Sequence, residues 1–195
     1  MTTVAKQRRA KPAAPRRYYV AYGSNLCVRD MRLRCQGARP VGRLLLDNAR
    51  LVFRGVADVV PEPGCATPAG LWLVTPEDEA ALDRYEGNGL AYEKLELELE
   101  GGLPAFIYVM KNARGIAPPT EYYLGVLRRG YRDFGLDQAY LDDALNHSHD
   151  EKAHCPATRA RYARWREGGH ARRVGGRLVV SKFRIARPTA APDDV

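Results

Sequence analysis

Between Tyr92 and Met110 the chain reads YEKLELELEGGLPAFIYVM. Leu95, Leu97 and Leu99 alternate with Lys94, Glu96 and Glu98, the period of two expected of a strand with one face buried. Gly101 and Gly102 supply a turn, and residues 104–110 return as an apolar and aromatic run. The two segments therefore predict a β-hairpin over 92–99 and 104–110. Further strands are expected near 18–23, 41–46, 50–54 and 69–74, where β-branched, aromatic and aliphatic residues cluster between turn residues.

The helices lie mostly between and after these strands. TPEDEAALDRYEG is the best marked: Thr75 caps, Pro76 opens the first turn, the acids at 77–79 suit the positive end of the dipole, and Gly87 stops it. A second helix follows PPT at 118–120, with Tyr123, Leu127, Tyr131 and Phe134 spaced to share one face. A third covers about 137–147. Beyond it the pattern predicts a helix near 156–167 and a strand at 177–185.

With 195 residues, 45% of them hydrophobic, the chain is expected to fold as one domain with a real core. No run approaches the roughly 18 apolar residues of a membrane span, and no signal-peptide hydrophobic region follows the start. Cys27, Cys35, Cys65 and Cys155 show no CxxC spacing, which fits free thiols in a reducing cytoplasm. The net charge of +8 is unevenly spread. Residues 1–17 carry six basic residues and no acid, residues 18–151 carry 14 basic against 20 acidic, and residues 152–187 carry 11 basic against Glu167 alone. The body is thus acidic between two basic segments. Residues 1–17 read as a disordered basic tail, 18–187 as the domain and 188–195 as a flexible end. The tail is Arg-rich like a transit peptide, but Pro12 and Pro15 spoil an amphipathic helix.

Two places carry chemistry. In YYVAYGSNL, from Tyr18 to Leu26, a strand breaks at Gly23, a residue that tolerates backbone conformations closed to others. Ser24 and Asn25 then present short polar side chains and unpaired amides at a strand end, where ligands are often met. Helix capping by Ser24 or Asn25 is the plainer reading. Strand alternation points Tyr19 and Tyr22 to opposite faces. The second place is Glu86. It lies four residues after Leu82, on that helix's apolar face, and in the last turn, where the dipole disfavours a carboxylate. Both placements would raise its pKa from about 4.3 towards neutrality, the direction a general base needs.

YGSNL ending the first strand, LDRYEG closing a helix and YVMKNARGIAPPTEYY before the next helix occur in this order. Over about 18–146 the chain resembles the gamma-glutamylcyclotransferase superfamily. The resemblance implies an α+β fold, a small mixed β-barrel flanked by helices. It implies a strand-end loop of Tyr22, Gly23, Ser24, Asn25 and Leu26 that holds the glutamyl group, with Glu86 as catalytic acid and base. Tyr123 becomes a substrate-side hydroxyl and Tyr19 a further contact. The implied reaction cyclises a γ-glutamyl amide to 5-oxoproline without metal or organic cofactor. The partner is a small γ-glutamyl substrate, either an amino-acid or peptide derivative or a γ-glutamylated amine. A homodimer is left open, and no membrane partner is expected.

Other constellations were weighed. HSHDEKAHC (147–155) gathers His147, His149, His154 and Cys155, but its spacing fits no tetrahedral finger and no metal site is expected. The arginines of 152–187, with Tyr162 and Trp165, could bind RNA; a solvated face packed on the acidic body is the simpler expectation, so nucleic acid is not the expected partner.

Overall fold

The computed structural model describes residues 15–149, except 88, 100–101 and 112–114, and the backbone of 171–174, 177–180 and 183–186. The expected hairpin is present as β4 (Tyr92–Leu99) and β5 (Leu103–Met110), paired antiparallel from Tyr92 against Met110 to Leu99 against Leu103. Gly102 makes the turn at φ +77°, donating its N–H to the Leu99 carbonyl at 3.0 Å. β1 (Arg17–Ala21) lies parallel to β5 and antiparallel to β3 (Ala57–Val74), which in turn pairs antiparallel with β2 (Arg39–Phe53). The resulting order is β4-β5-β1-β3-β2, with the short β8 (Phe183–Ala186) on the outer edge of β2.

This α+β sheet is open. The expected barrel would require β2 to meet β4. Among the described residues the outer edge of β2 pairs instead with β8, at Arg43 to Leu46, and no ladder joins it to β4.

β2 and β3 run longer than expected. The strands anticipated at 41–46 and 50–54 are one strand, interrupted by a register shift between Asp47 and Ala49. Asn48 occupies that irregularity with φ 55°, and its Oδ1 accepts the N–H of Gly64 on β3. β3 also extends back to Ala57, through Pro61, Gly64 and Pro68. Those residues look like a loop in sequence, but pairing with β2 overrides local preference.

Among the described residues four helices cover the sheet: α1 (Val28–Arg34), α2 (Pro76–Tyr85), α3 (Glu121–Asp133) and α4 (Ala139–His149). A helix capped at Ser24 or Asn25 was the plainer expectation after the first strand; α1 begins later, at Val28, after a 3₁₀ turn and with Cys27 at its N-cap. α2 carries a full capping box: Thr75 Oγ1 accepts from the Asp78 N–H, and Asp78 Oδ2 accepts from the Thr75 N–H. The core holds Trp72, Phe53, Phe106, Leu82, Leu127 and Tyr131, all at 0% exposure. Trp72 meets the Phe134 ring edge-on at 5.4 Å, so the expected apolar face of α3 packs on the sheet. The helix expected at 156–167 lies outside the described residues. The strand expected at 177–185 is two strands, β7 (Arg177–Val180) and β8, and β7 pairs with an unanticipated β6 (Ala171–Val174). No helix among the described residues is long and apolar enough to cross a membrane.

The expected tail of 1–17 overlaps this body. Arg17 opens β1 and pairs with Glu79 and Glu96, while Arg16 donates to the Gly37 carbonyl. Residues 1–14 lie outside the described residues.

Candidate active site

β1 ends at Ala21, and the chain turns through Tyr22 and Gly23 into a 3₁₀ turn, Ser24–Leu26. Gly23 has φ −107°, so its backbone does not need glycine. What the missing side chain provides is room: a Cβ there would stand 3.4 Å from the Tyr123 hydroxyl and 3.7 Å from the Ala57 Cβ. Neither Ser24 nor Asn25 caps a helix through its side chain. Both line a cavity of about 40 Å³, room for about three water-sized groups. Tyr19, Tyr22, Gly23, Ala57, Glu86, Tyr92, Tyr108 and Tyr123 complete its wall.

The turn spends some of its amides on itself. Leu26 donates its N–H to the Gly23 carbonyl at 2.9 Å and Cys27 to the Ser24 carbonyl at 3.1 Å. The Ser24 backbone hydrogen-bonds the Tyr123 hydroxyl. Leu26, expected among the substrate contacts, is instead fully buried and outside the cavity wall, because the 3₁₀ turn rotates it into the core against Gly70 and Gly130. Tyr19 lines the cavity, as the resemblance implied and strand alternation did not. The strand stops before Tyr22, so alternation does not reach that residue, and both tyrosines face the cavity.

Asn25 is the hub. Its side chain is 3% exposed as a residue and makes three hydrogen bonds. Arg34, which can only donate, binds Oδ1 and so turns Nδ2 the other way. Nδ2 then donates to Tyr19 Oη and to Glu86 Oε1, each at 2.9 Å. Arg34 is itself stacked 3.8 Å from the centre of the Tyr85 ring.

Glu86 is the C-cap of α2, with its N–H on the Leu82 carbonyl at 2.9 Å, and Gly87 leaves the helix at φ +83°. Burial pushes its carboxyl from 4.5 up to about 7, against the opposing pull of the Asn25 hydrogen bond and the Arg34 charge. The expected direction holds, and desolvation is its cause. Across the cavity, Tyr123 Oη accepts the N–H of Ala57 at 3.1 Å as well as the Ser24 amide. With those bonds directed at its lone pairs, its own proton is left to donate. Burial first, then the nearby Tyr85 and Glu86, raise this phenol to about 12, so it stays protonated at neutral pH.

Sequence reasoning missed Arg34, Tyr92 and Tyr108. Tyr108 donates to Asp83 at 2.7 Å, Asp83 pairs with Lys94 at 2.6 Å, and Tyr19 stacks on Phe106 with ring centres 5.2 Å apart. Register opposes Lys94 to Tyr108, so extending the hairpin pairing could have found that cluster. Beneath Ala57, Asp58 and Arg54 form an almost fully buried ion pair at 2.9 Å that fixes the β2–β3 turn. Burial raises the Asp58 carboxyl, with Arg54 opposing.

No group of three or more His, Cys, Asp or Glu among the described residues is placed to hold a metal. His147 and His149 lie on α4, whereas His154 and Cys155 lie outside the described residues. Cys27, Cys35 and Cys65 are free thiols, the first two buried.

Comparison with known proteins agrees with the fold. A gamma-glutamyl cyclotransferase structure superposes with a TM-score of 0.58 at 23% identity, over 66% of this chain and 86% of that one. The human uncharacterized protein loc79017 gives 0.59 at 24%, over 67% and 87%. YkqA from Bacillus subtilis gives 0.56 at 21%, over 69% of this chain but 55% of its own length. Comparison with curated proteins gives no match. The family profile described as gamma-glutamyl cyclotransferase, AIG2-like, matches residues 19–131, and it is to this family that the chain belongs.

Proposed function

We propose that the protein converts a γ-glutamyl amide into 5-oxoproline and a free amine, with Glu86 moving the proton. The observation that carries this reading is a carboxyl with a proton affinity near neutrality, held by Asn25 on the wall of the strand-end cavity.

The substrate's α-amine, with a pKa of roughly 8, is largely protonated near neutral pH and cannot attack. An ordinary glutamate at 4.5 would take that proton at a cost of about 5 kcal/mol. Glu86 at about 7 would take it for about 1.4 kcal/mol. The freed nitrogen attacks the γ-carbonyl carbon, the Tyr123 hydroxyl donates to the developing oxyanion, and the amide C–N bond breaks. Glu86 returns its proton to the departing nitrogen, and the ring nitrogen's second proton is handed on to the released amine, which leaves as an ammonium. No water is consumed, so the glutamyl part leaves as 5-oxoproline and not as glutamate. Ring closure is intramolecular, and a cavity that holds the chain folded supplies much of the acceleration.

The test is a panel of γ-glutamyl amino acids, peptides and amines, with 5-oxoproline and glutamate quantified for the wild-type protein and Glu86→Gln. The variant keeps a hydrogen-bond acceptor for Asn25 but accepts no proton, and its turnover is expected to fall about 10²- to 10⁴-fold. A folded Glu86→Gln protein with near wild-type turnover, or glutamate as the product, would overturn the assignment. The panel also reads which amine leaves.

A further inference from the structure

We infer a second ligand site: a cavity between α1 and α3 that binds a small anion carrying two or more phosphoryl groups. It has a volume of about 520 Å³ and is lined by Arg29, Arg32, Arg129 and Arg132, with Cys27, Val28 and Asp133.

Helical spacing assembles the four guanidiniums. Arg29 and Arg32 are three apart on α1, Arg129 and Arg132 three apart on α3, so each pair shares a face. None of the four makes an ion pair among the described residues. Their neighbours elsewhere do: Arg17 pairs with Glu79, Arg50 with Asp143, Arg54 with Asp58 and Arg128 with Asp142. The contrast within Arg128–Arg129 is direct, since one is neutralised on α4 while its neighbour faces the cavity. The Nε of Arg129 is buried without a hydrogen-bond partner. The one acid among the described wall residues, Asp133, accepts the Val28 N–H at 2.8 Å and keeps its charge. Four arginines against one aspartate therefore leave a net charge of about three positive in the wall, in a body whose sequence is acidic overall between 18 and 151.

The cavity is also preorganised. Gly130 of α3 lies so close to the loop that a Cβ there would come within 2.5 Å of the Leu26 Cβ and 2.8 Å of the Cys27 N. That contact fixes the spacing of α1 and α3, so a ligand need not draw the arginines together.

The chemistry of the wall selects the ligand. Guanidinium forks match phosphate oxygens two at a time. A terminal phosphoryl group carries about −1.5 to −2 charge at neutral pH, so about two groups balance the four arginines net of Asp133. No aromatic ring among the described residues lines the cavity, so recognition runs through phosphate and not through a stacked base, which disfavours a single-stranded nucleic acid.

The test is calorimetric titration of the full-length protein with inorganic diphosphate, orthophosphate and sulfate at matched ionic strength. Saturable binding of one diphosphate per chain is expected, at least tenfold tighter than either single anion and weaker as salt rises. Arg32 and Arg132 are exposed, so Arg32→Gln with Arg132→Gln should not lower the unliganded melting temperature, any change being a rise from relieved like-charge repulsion, while weakening diphosphate at least tenfold; either single substitution should weaken it less. Arg39→Gln, exposed elsewhere on the surface, should leave it unchanged. Absence of saturable binding, or equal weakening by Arg39→Gln, would overturn the site. So would an oligoribonucleotide that binds through these same arginines more tightly than diphosphate, which would make the face a nucleic-acid surface.

Discussion

Glu86→Gln should cost activity and at the same time stabilise the fold, by an amount that depends on pH. Unfolded, Glu86 ionises near its ordinary 4.5; folded, burial holds it near 7. A folded pKa raised above the unfolded one means the native state keeps the proton longer. The wild-type protein is then at its relative best below pH 4.5 and loses stability as pH rises from there through 7. The shift of about 2.5 units corresponds to about 3 kcal/mol, an upper figure because the partly exposed carboxylate is screened by solvent. Glutamine does not ionise and escapes this loss. The gap between variant and wild type should therefore be near zero at pH 4, about 2 kcal/mol at pH 6 and about 3 kcal/mol at pH 8. Urea unfolding of both proteins at the three pH values, followed by circular dichroism with m-values compared, measures it. A gap that stays constant within about 0.5 kcal/mol from pH 4 to pH 8 would refute the reasoning, because Glu86 would then have the same proton affinity folded and unfolded. A pH-dependent gap together with lost turnover would be the signature of a group kept for chemistry at the expense of stability.

Further substitutions probe the framework. Arg34→Met removes a cation that lowers the Glu86 pKa and frees Asn25 to rotate, so the rising limb of the pH–rate profile should move to higher pH; Arg34→Lys should move it back in part, and an unchanged limb would deny Arg34 that role. Gly130→Ala pushes a methyl into the Leu26 and Cys27 backbone and should cost about 1–3 kcal/mol in urea unfolding, with lower turnover from the displaced loop. Thr75→Ala deletes half of the α2 capping box and should cost about 1 kcal/mol while leaving the limb of the pH–rate profile where it was.

What was legible in the sequence was what is decided locally. The 92–110 hairpin announces itself because a period of two and a glycine turn suffice to define it, and α2 because Thr75, Pro76 and Asp78 cap it before any packing occurs. β3 was legible only in its last third. Pro61, Gly64 and Pro68 argue against a strand, and only the long-range ladder to β2 makes one. α1 was foreseen only as a helix capped at Ser24 or Asn25, and its true start at Val28 was missed for a related reason. Its seven residues lack a side-chain N-cap of their own, and their support comes from Asp133, 105 positions on, and from the burial of Met31. The closed barrel failed because which strand takes the edge of β2 is a matter of the whole topology.

The candidate site divides along the same line. Glu86 could be picked out because its position relative to Leu82 and the helix end is a property of ten residues. The loop could be located, but not which of its groups the fold itself would engage. A strand-end turn suggests amides, yet a 3₁₀ turn consumes the amides of Leu26 and Cys27 within itself, and the Ser24 backbone is engaged by the Tyr123 hydroxyl. Polar function passes from the loop's backbone to side chains around it: to Asn25, oriented by Arg34, and to Tyr123, whose proton is free because backbone donors face its oxygen. Each of these depends on a partner distant in sequence or on an element that local pattern did not reveal. The words YGSN and YEG therefore mark where chemistry is available, and the sheet and helices that bring Arg34, Ala57 and Tyr123 against them determine which atoms are left to perform it.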